Sequence, residues 1–409
     1  MIVAGQLLLE DETTPGLARL APGLVRVEDG VISELVEGEI PQAFDLGGPG
    51  CLVSPGFVDT HLHLPQFDMI GAHGLPLLEW LSGVTFPSEA KWADADYAAA
   101  MTGRVAEQLL SVGTTSLCAY SSVHHAATAA AIETLTKAGL RGVVGQAMSD
   151  RFAPDGLVGA TAELLDQTAD LLHRFPAGGR VAAAVTPRFA VSCTAELLAG
   201  AGRLAAEHPR ALVQTHLSET VPECELIGEL YNGASYVDVY DAAGLVTDRT
   251  LLGHGIHLSP AERATLQQAG AVIAHCPTAN SFLRSGAMDR HTTITAGVRT
   301  SLGTDIGAGY ERSMVRVGRA MIETAAALGA DYPAAAHAWW QITAGNADAA
   351  GFTDAGRLSV GAPADLVVIE PNQPWLTSPV DPLAMLMFAW DDRWVRQTLV
   401  RGEIAYRAA

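Results

Sequence analysis

Eight apolar runs, each followed by a stretch rich in alanine, leucine and glutamate, constrain the fold of this chain more than any other feature. The runs are continuous rather than alternating, which is typical of parallel strands buried on both faces. Eight alternating strand and helix units predict an α/β protein with a (β/α)8 TIM barrel. The runs cover residues 56–63, 114–120, 142–148, 181–186, 211–216, 250–254, 271–275 and 298–305.

An open, doubly wound sheet is the structural alternative, because counting strands does not distinguish it from a closed barrel. No glycine-rich phosphate-binding turn follows the first run, which weakens the version of that fold that binds a nucleotide cofactor. Both chain ends contain short strands broken by glycine, proline and acidic turns, and neither end is long enough to bury a core alone. We therefore predict that residues 1–55 and 356–409 form one small composite β-sandwich domain and that residues 56–355 form the barrel.

The charge balance argues against two classes of partner. The 409 residues include 25 lysines and arginines and 45 aspartates and glutamates, so the formal net charge is −20. This balance disfavours nucleic acid and anionic membranes as partners. The sequence has no N-terminal signal pattern and no apolar run of about 18 residues, so we expect a soluble cytoplasmic protein. The five cysteines form no Cys-x-x-Cys pair, so neither a disulfide framework nor a thiolate zinc site is predicted.

Chemically active side chains stand at the ends of six of the eight runs, where a TIM barrel places its catalytic groups. The first run ends in His61 and His63, and alternate side chains of a strand point to the same side. Their imidazoles can therefore share a metal ion, although the pair alone could equally be two strand-end residues that are satisfied by neighbours. The later run ends carry Arg188, His216 with Glu219, His254, His275 and Asp305.

Three imidazoles and one carboxylate form the metal site that we predict, with His61, His63, His216 and Asp305 as ligands. Nitrogen and oxygen ligands of this kind suit Zn²⁺, and Fe²⁺ is the second possibility. An ion in such a site activates water for hydrolysis at neutral pH.

Three residues near these run ends are candidates for the proton transfers of a hydrolysis. Glu219 lies three residues after His216 and is predicted to move a proton from water to the substrate; a solvated loop carboxylate is its alternative. His254 is predicted to orient water or polarise the substrate, with a satisfied core histidine as its alternative. Asp305, besides binding the metal, is a second acceptor for the proton of the water. For His275 we favour packing or support of the site.

Motifs along almost the whole chain resemble the guanine deaminases of the amidohydrolase superfamily. The most specific of them are Pro-Gln-Phe at 65–67 and the lid-like segment Leu-Pro-Leu-Leu-Glu-Trp-Leu at 75–81 with Thr-Phe-Pro at 85–87. The other matching segments are residues 55–63, 186–189, 218–219, 236–240, 274–277 and 303–305.

The resemblance implies hydrolysis of the 2-amino group of guanine to give xanthine and ammonia, and it implies a homodimer. By the same resemblance, the residues that contact the small-molecule substrate are Gln66, Leu78, Trp80, Arg188, Phe189, His216 and Glu219. A planar guanidinium and an amide suit the edge of a purine. Without the motif, a turn amide and a surface cation are the alternatives for Gln66 and Arg188, and helix packing is the alternative for Leu78 and Trp80.

Binuclear relatives bridge two ions with a modified lysine at a strand end, but the only lysines here, Lys91 and Lys137, are not at strand ends. One ion is therefore expected.

Five positions depart from the family pattern and bear on the identity of the substrate more than on the reaction type. These are Gly74, Phe152, Thr220, Ala279 and Glu311. They leave two alternatives to guanine deamination. One is deamination of another aminated heterocycle, such as a pterin, a triazine or another aminopurine. The other is a non-catalytic scaffold on a hydrolase fold, against which the complete ligand set argues.

Overall fold

The computed structural model describes residues 1–377 and 379–409, in which the strands form three sheets. The strands are β1 Ile2–Glu10, β2 Ala18–Glu28, β3 Val31–Glu37, β4 Leu46–Pro55, β5 Phe57–His63, β6 Thr114–Tyr120, β7 Arg141–Gly145, β8 Val181–Ala184, β9 Val213–Leu217, β10 Thr250–His254, β11 Val272–His275, β12 Arg299–Leu302, β13 Leu366–Ile369, β14 Val395–Val400 and β15 Glu403–Arg407.

Helices follow most of the barrel strands. The α-helices are α1 Leu77–Trp80, α2 Phe86–Ala90, α3 Ala95–Ser111, α4 His125–Lys137, α5 Thr161–Arg174, α6 Ala195–Glu207, α7 Val221–Leu230, α8 Tyr236–Ala242, α9 Pro260–Ala269, α10 Pro277–Phe282, α11 Arg290–Thr295, α12 Met314–Ala327, α13 Ala335–Trp340, α14 Asn346–Ala349 and α15 Pro382–Ala389. None of the helices within residues 1–377 and 379–409 combines the length and apolar character needed to cross a bilayer.

Each of the eight predicted runs overlaps a strand, and these strands form two parallel four-stranded sheets, β5-β6-β7-β8 and β12-β11-β10-β9. The strands β6 and β10 have the predicted bounds, whereas β12 ends at Leu302 instead of 305. Asp305 adopts a left-handed backbone conformation, with φ of 52°, which a strand does not accommodate.

Two seams join the sheets into the predicted barrel. At one seam, Val185 pairs in parallel with Val213. At the other, the hydroxyl of Thr60 in β5 donates to the carbonyl of Leu302 in β12 at 2.9 Å, and the N–H of Asp305 donates to the carbonyl of His61 at 2.8 Å. Closure brings the C-terminal ends of β5, β9, β10 and β12 to one mouth.

The two chain ends form one composite β domain, as predicted. Their strands form a single seven-stranded sheet in the order β15-β14-β13-β4-β1-β2-β3, rather than two separately hydrogen-bonded sheets. The N-terminal and C-terminal parts meet where β13 pairs antiparallel with β4, with Leu366 opposite Pro55. The exact limits of the three parts of the chain stay a prediction.

Asn346 holds β5 and β12 together at the closing seam. Its amide nitrogen donates to the carbonyls of Val58 and Leu302 at 2.7 and 2.8 Å, and its amide oxygen accepts from the N–H of Leu302 at 2.8 Å. We expect Asn346→Ala to lower the free energy of unfolding by on the order of 2–4 kcal/mol, because it leaves buried backbone groups unpaired. A lower thermal unfolding midpoint is the measurement. Gln268→Ala, which removes an exposed amide on α9, is the control, and equal midpoints for both variants would contradict this role.

Candidate active site

Four histidines and one aspartate converge at the mouth of the barrel. His61 and His63 end β5, His216 and His254 lie at the ends of β9 and β10, and Asp305 follows β12. The Nε2 atoms of His63 and His216 lie 3.0 Å apart, and Asp305 Oδ1 lies 3.4 Å from His61 Nε2 and 3.3 Å from His63 Nε2. The four predicted ligands therefore face a common point, and each of two triads, His61–His63–Asp305 and His61–His216–His254, has ligand atoms within 4.8 Å of one another.

Hydrogen bonds behind the imidazoles determine which ring nitrogen faces this point. The Nδ1 of His216 lies 2.6 Å from the carbonyl of Arg188, and because a carbonyl only accepts, Nδ1 is the donor. His254 similarly donates from Nδ1 to the amide oxygen of Asn280 at 2.8 Å. Both rings consequently present Nε2 to the cluster, which is the arrangement found behind metal-binding histidines.

The donor set fits a divalent cation. His61 Nε2 and Asp305 Oδ1 are buried and have no hydrogen-bond partner among the described residues, an expensive arrangement unless another group satisfies them. Burial lowers the pKa of His61 to about 4 and that of His216 well below its usual value. Both rings are therefore neutral at pH 7, the form that binds metal.

Two glycines, Gly253 and Gly303, leave just enough space for the side chain of His61. A Cβ added to Gly253 would lie 2.6 Å from the Cε1 atom of His61, and one added to Gly303 would lie 2.5 Å from its Cβ atom. Asp59 supports the same strand end, because its carboxylate accepts from the N–H of His61 at 3.2 Å and from the hydroxyl of Thr304 at 2.5 Å. Glycines at these two positions let the ring reach the cluster in one orientation.

Glu219 lies beside the cluster in a buried environment. One of its oxygens accepts from the hydroxyl of Ser285 at 2.7 Å, and the other lies 3.5 Å from His254 Nε2. Burial raises the pKa of Glu219 to about 7. This carboxyl group can thus take up and release a proton near neutral pH, which a general acid and base requires.

Glu223 fixes the loop that carries Glu219, a role that the sequence analysis did not assign. Its carboxylate accepts from the N–H groups of Glu219 and Thr220 at 3.0 and 3.2 Å and from the hydroxyl of Tyr236 at 2.6 Å. The pattern Thr220-x-x-Glu223 is a capping box at the start of α7. That signal was present in the sequence and could have identified Glu223.

A cavity adjoins the cluster. Six of the seven predicted substrate contacts line it. Its lining consists of His63, Gln66, Leu77, Trp80, Leu81, Arg188, Phe189, His216, Glu219, Glu223, His254, Asp305 and Ala308.

The seventh predicted contact, Leu78, is not brought to this cavity. Its side chain is 38% exposed, whereas Leu77, Trp80 and Leu81 are buried and line the cavity. Residues spaced by three and four share one face of a helix, so α1 turns Leu77, Trp80 and Leu81 inward and Leu78 outward. The motif did not determine which face of this helix turns toward the cavity.

Glu89 is another buried carboxylate to which the sequence analysis assigned no role. It accepts from Gln66 Nε2 at 2.9 Å and from Arg188 Nη1 at 2.5 Å, and so joins two of the predicted substrate contacts. A buried arginine requires such a partner, but the sequence does not show which acidic residue supplies it.

His275 lies at the end of β11 and does not line the cavity. Both of its ring nitrogens are buried without a hydrogen-bond partner in the described part of the chain. Burial lowers its pKa to about 3, so the ring is neutral. Its predicted part in packing or in support of the site stays a prediction.

The chain is similar to known proteins over nearly its whole length. A model of the amidohydrolase family matches residues 52–405. The chain is 34% identical to a guanine deaminase of Escherichia coli over 97% of this chain and 94% of that protein. The solved structure of an E. coli guanine deaminase superposes with a TM-score of 0.92 at 33% identity over 100% of both chains. The structure of a guanine deaminase from C. acetobutylicum with bound guanine in the active site superposes with a TM-score of 0.90 at 28% identity over 99% of both chains.

Proposed function

The chain belongs to the amidohydrolase family, and from this premise we propose that it hydrolyses the 2-amino group of guanine, producing xanthine and ammonia. One observation carries the proposal. A single cavity brings Gln66 and Arg188, which suit a purine edge, beside Glu219 and the metal-binding cluster. The relatives named guanine deaminase support the same substrate.

We propose that His61, His63, His216 and Asp305 hold one Zn²⁺ ion, with Fe²⁺ as the alternative. When bound, the ion supplies Lewis-acid activation of water. A second, lysine-bridged ion has no support, because Lys91 pairs with Asp68 at 2.6 Å and Lys137 ends α4.

In the proposed reaction, Glu219 takes a proton from the attacking water while a C–O bond forms at C2 of guanine and the C2=N3 π bond breaks, which places its electron pair on N3. Glu219 then delivers that proton to the 2-amino nitrogen, the C–N bond breaks as the C2=N3 double bond re-forms, and ammonia leaves. The 2-hydroxyl product becomes xanthine when its proton moves from the oxygen to N3. His254 is placed 3.5 Å from Glu219 and 3.9 Å from Asp305. Burial opposes its protonation, but these two carboxylates raise its pKa, and the protonated ring can donate from Nε2 to the attacking oxygen while the C–O bond forms.

Asp305 is the predicted second acceptor. Burial opposes its ionisation, but the imidazoles of His61 and His63, whose Nε2 atoms lie 3.4 and 3.3 Å from Oδ1, keep its pKa well below the usual range. It therefore stays a carboxylate, whereas Glu219 can retain a proton.

The departures from the family pattern do not favour another substrate. Gly74, Phe152 and Glu311 all lie outside the residues that line the cavity, and Phe152 is 60% exposed. Guanine remains the substrate that the geometry supports best.

The decisive experiment is a deamination screen combined with metal analysis. Ammonia release from guanine, isoxanthopterin, adenine and cytosine is measured with protein whose metal content has been quantified in the same preparation. Guanine is expected to be the best of the four substrates. Absence of guanine turnover by metal-loaded protein would overturn the proposal, and purification without a stoichiometric ion would favour a scaffold.

Arg188→Ala is expected to impair the use of guanine while leaving the metal content unchanged. The side chain contributes a charged hydrogen-bond donor in the cavity, and its loss is expected to lower kcat/KM for guanine by about 10²-fold. Steady-state kinetics and metal analysis are the measurements. Loss of metal together with activity would show that Arg188 supports the cluster instead of the substrate.

Homodimerisation, cytoplasmic location and a role in purine catabolism stay predictions. Sedimentation of the full chain is the direct test of the dimer.

A further inference from the structure

Gln66 and Arg188 meet a single carboxylate behind the cavity wall. Glu89 Oε1 accepts from Gln66 at 2.9 Å, and Glu89 Oε2 accepts from Arg188 at 2.5 Å. The side chains of Glu89 and Arg188 are only 3% and 8% exposed. Each carboxylate oxygen thus holds one of the two groups that face the substrate.

This contact determines which end of the Gln66 amide faces away from Glu89. An ionised carboxylate has no hydrogen to donate, so the Gln66 atom beside it must be the amide nitrogen. The amide oxygen is left over, and it is buried without a hydrogen-bond partner in the described part of the chain. Since Gln66 lines the cavity, this oxygen can accept a hydrogen bond from a ligand.

Arg188 has the opposite polarity, because a guanidinium only donates. One of its nitrogens is held by Glu89, and its face lies over the ring of Phe86 at 5.8 Å. The cavity therefore combines an acceptor on Gln66 with a donor on Arg188. The matching ligand has an N–H next to a C=O, as a cyclic lactam does.

We infer that Glu89 is a positioning residue that sets this polarity and thereby selects lactam heterocycles. The inference rests on the proposed function in that a purine-sized heterocycle occupies the cavity. It adds that Glu89, which need not touch the substrate, determines that Gln66 accepts and Arg188 donates at the edge of the heterocycle.

Glu89→Gln makes the inference testable because it reverses the polarity. The new amide oxygen can accept from Arg188, and the new NH2 group then faces Gln66. Gln66 must turn its own oxygen toward that donor, so that its NH2 group faces the cavity. A ligand with an unprotonated N1 now matches, and a ligand with N1–H does not.

The ligands for the test are hypoxanthine and purine, and the readout is the ratio of their dissociation constants, measured by calorimetry on metal-loaded protein. Hypoxanthine has N1–H and C6=O, whereas purine has an unprotonated N1 and no oxygen. Neither has an amino group, so binding is measured without deamination. The native protein is expected to prefer hypoxanthine, and Glu89→Gln is expected to reduce that preference by about 10- to 100-fold.

Two controls separate selection from structural support. Glu79→Gln removes an exposed carboxylate from α1 and should keep the preference. Gln66→Leu should lose the preference for hypoxanthine. Adding Glu89→Gln to Gln66→Leu should change the ratio of dissociation constants little further, since both changes act through the same amide. The Gln66→Leu variant also keeps the test open if Glu89→Gln does not fold.

An unchanged preference in a folded, metal-loaded Glu89→Gln protein would overturn the inference, as would equal weakening of both ligands. Failure to bind either purine in the native protein would overturn it as well. The proposed function is tested separately by ammonia release from guanine. If guanine is not turned over but hypoxanthine is preferred as described, the proposed function fails and the inference stands.

Discussion

Glu219→Gln is expected to keep its fold and its metal but to lose about 10²–10⁴-fold of guanine turnover, the range for removal of a general acid and base. The substitution changes one oxygen to an NH2 group of nearly equal size, so packing is retained. The Ser285 hydroxyl donates to Glu219 Oε1 at 2.7 Å and can donate equally to an amide oxygen. What disappears is the ability to take up a proton and to return it.

The matched control is Glu225→Gln, which makes the same change on an exposed residue of α7. Turnover close to that of the native protein is expected for the control. The measurements are kcat for ammonia release, the metal content and the thermal unfolding midpoint. Near-normal kcat in the Glu219→Gln protein would refute the assignment, and loss of metal would show that Glu219 acts on the cluster.

The parts of the fold that sequence patterns predicted are those that local hydrophobicity determines. A strand buried on both faces is apolar along its length, so the first and last residues of β6 and β10 could be predicted from the apolar runs. The end of β12 could not, because the left-handed backbone of Asp305 depends on the packing around it. The arrangement of the terminal strands was equally hidden, since hydrophobic alternation does not determine whether strands form one sheet or two.

In the candidate site, too, some residues could be predicted from the sequence and others could not. The barrel rule places every strand end at one mouth, which is why the histidines of β5, β9 and β10 and Asp305 could be brought together before their distances were known. Contacts that join remote segments without a motif could not be predicted. Glu89 and Arg188 are 99 residues apart in the sequence, and no pattern links them. Asn280 likewise supports His254 across 26 residues, and only the structure shows this contact.

His61→Ala is expected to lose the bound metal and, with it, essentially all guanine turnover. Its Nε2 atom is buried without a hydrogen-bond partner in the described residues and belongs to both triads of the cluster. Its removal leaves three of the four proposed ligands. Metal content per chain, measured on protein purified without added metal, is expected to fall from about one toward zero, because a four-ligand site that loses one ligand binds its ion much more weakly.

The matched control is His275→Ala, which also removes a buried imidazole from the end of a barrel strand. Both variants leave a cavity and should therefore unfold at a lower temperature than the native protein. Only the native protein and the His275→Ala variant should gain thermal stability when Zn²⁺ is added to metal-stripped samples, because an ion that binds the folded state alone stabilises it. A His61→Ala protein that retains a stoichiometric ion and shows the same Zn²⁺-dependent gain would show that the ion binds without His61, and the proposed ligand set would be wrong.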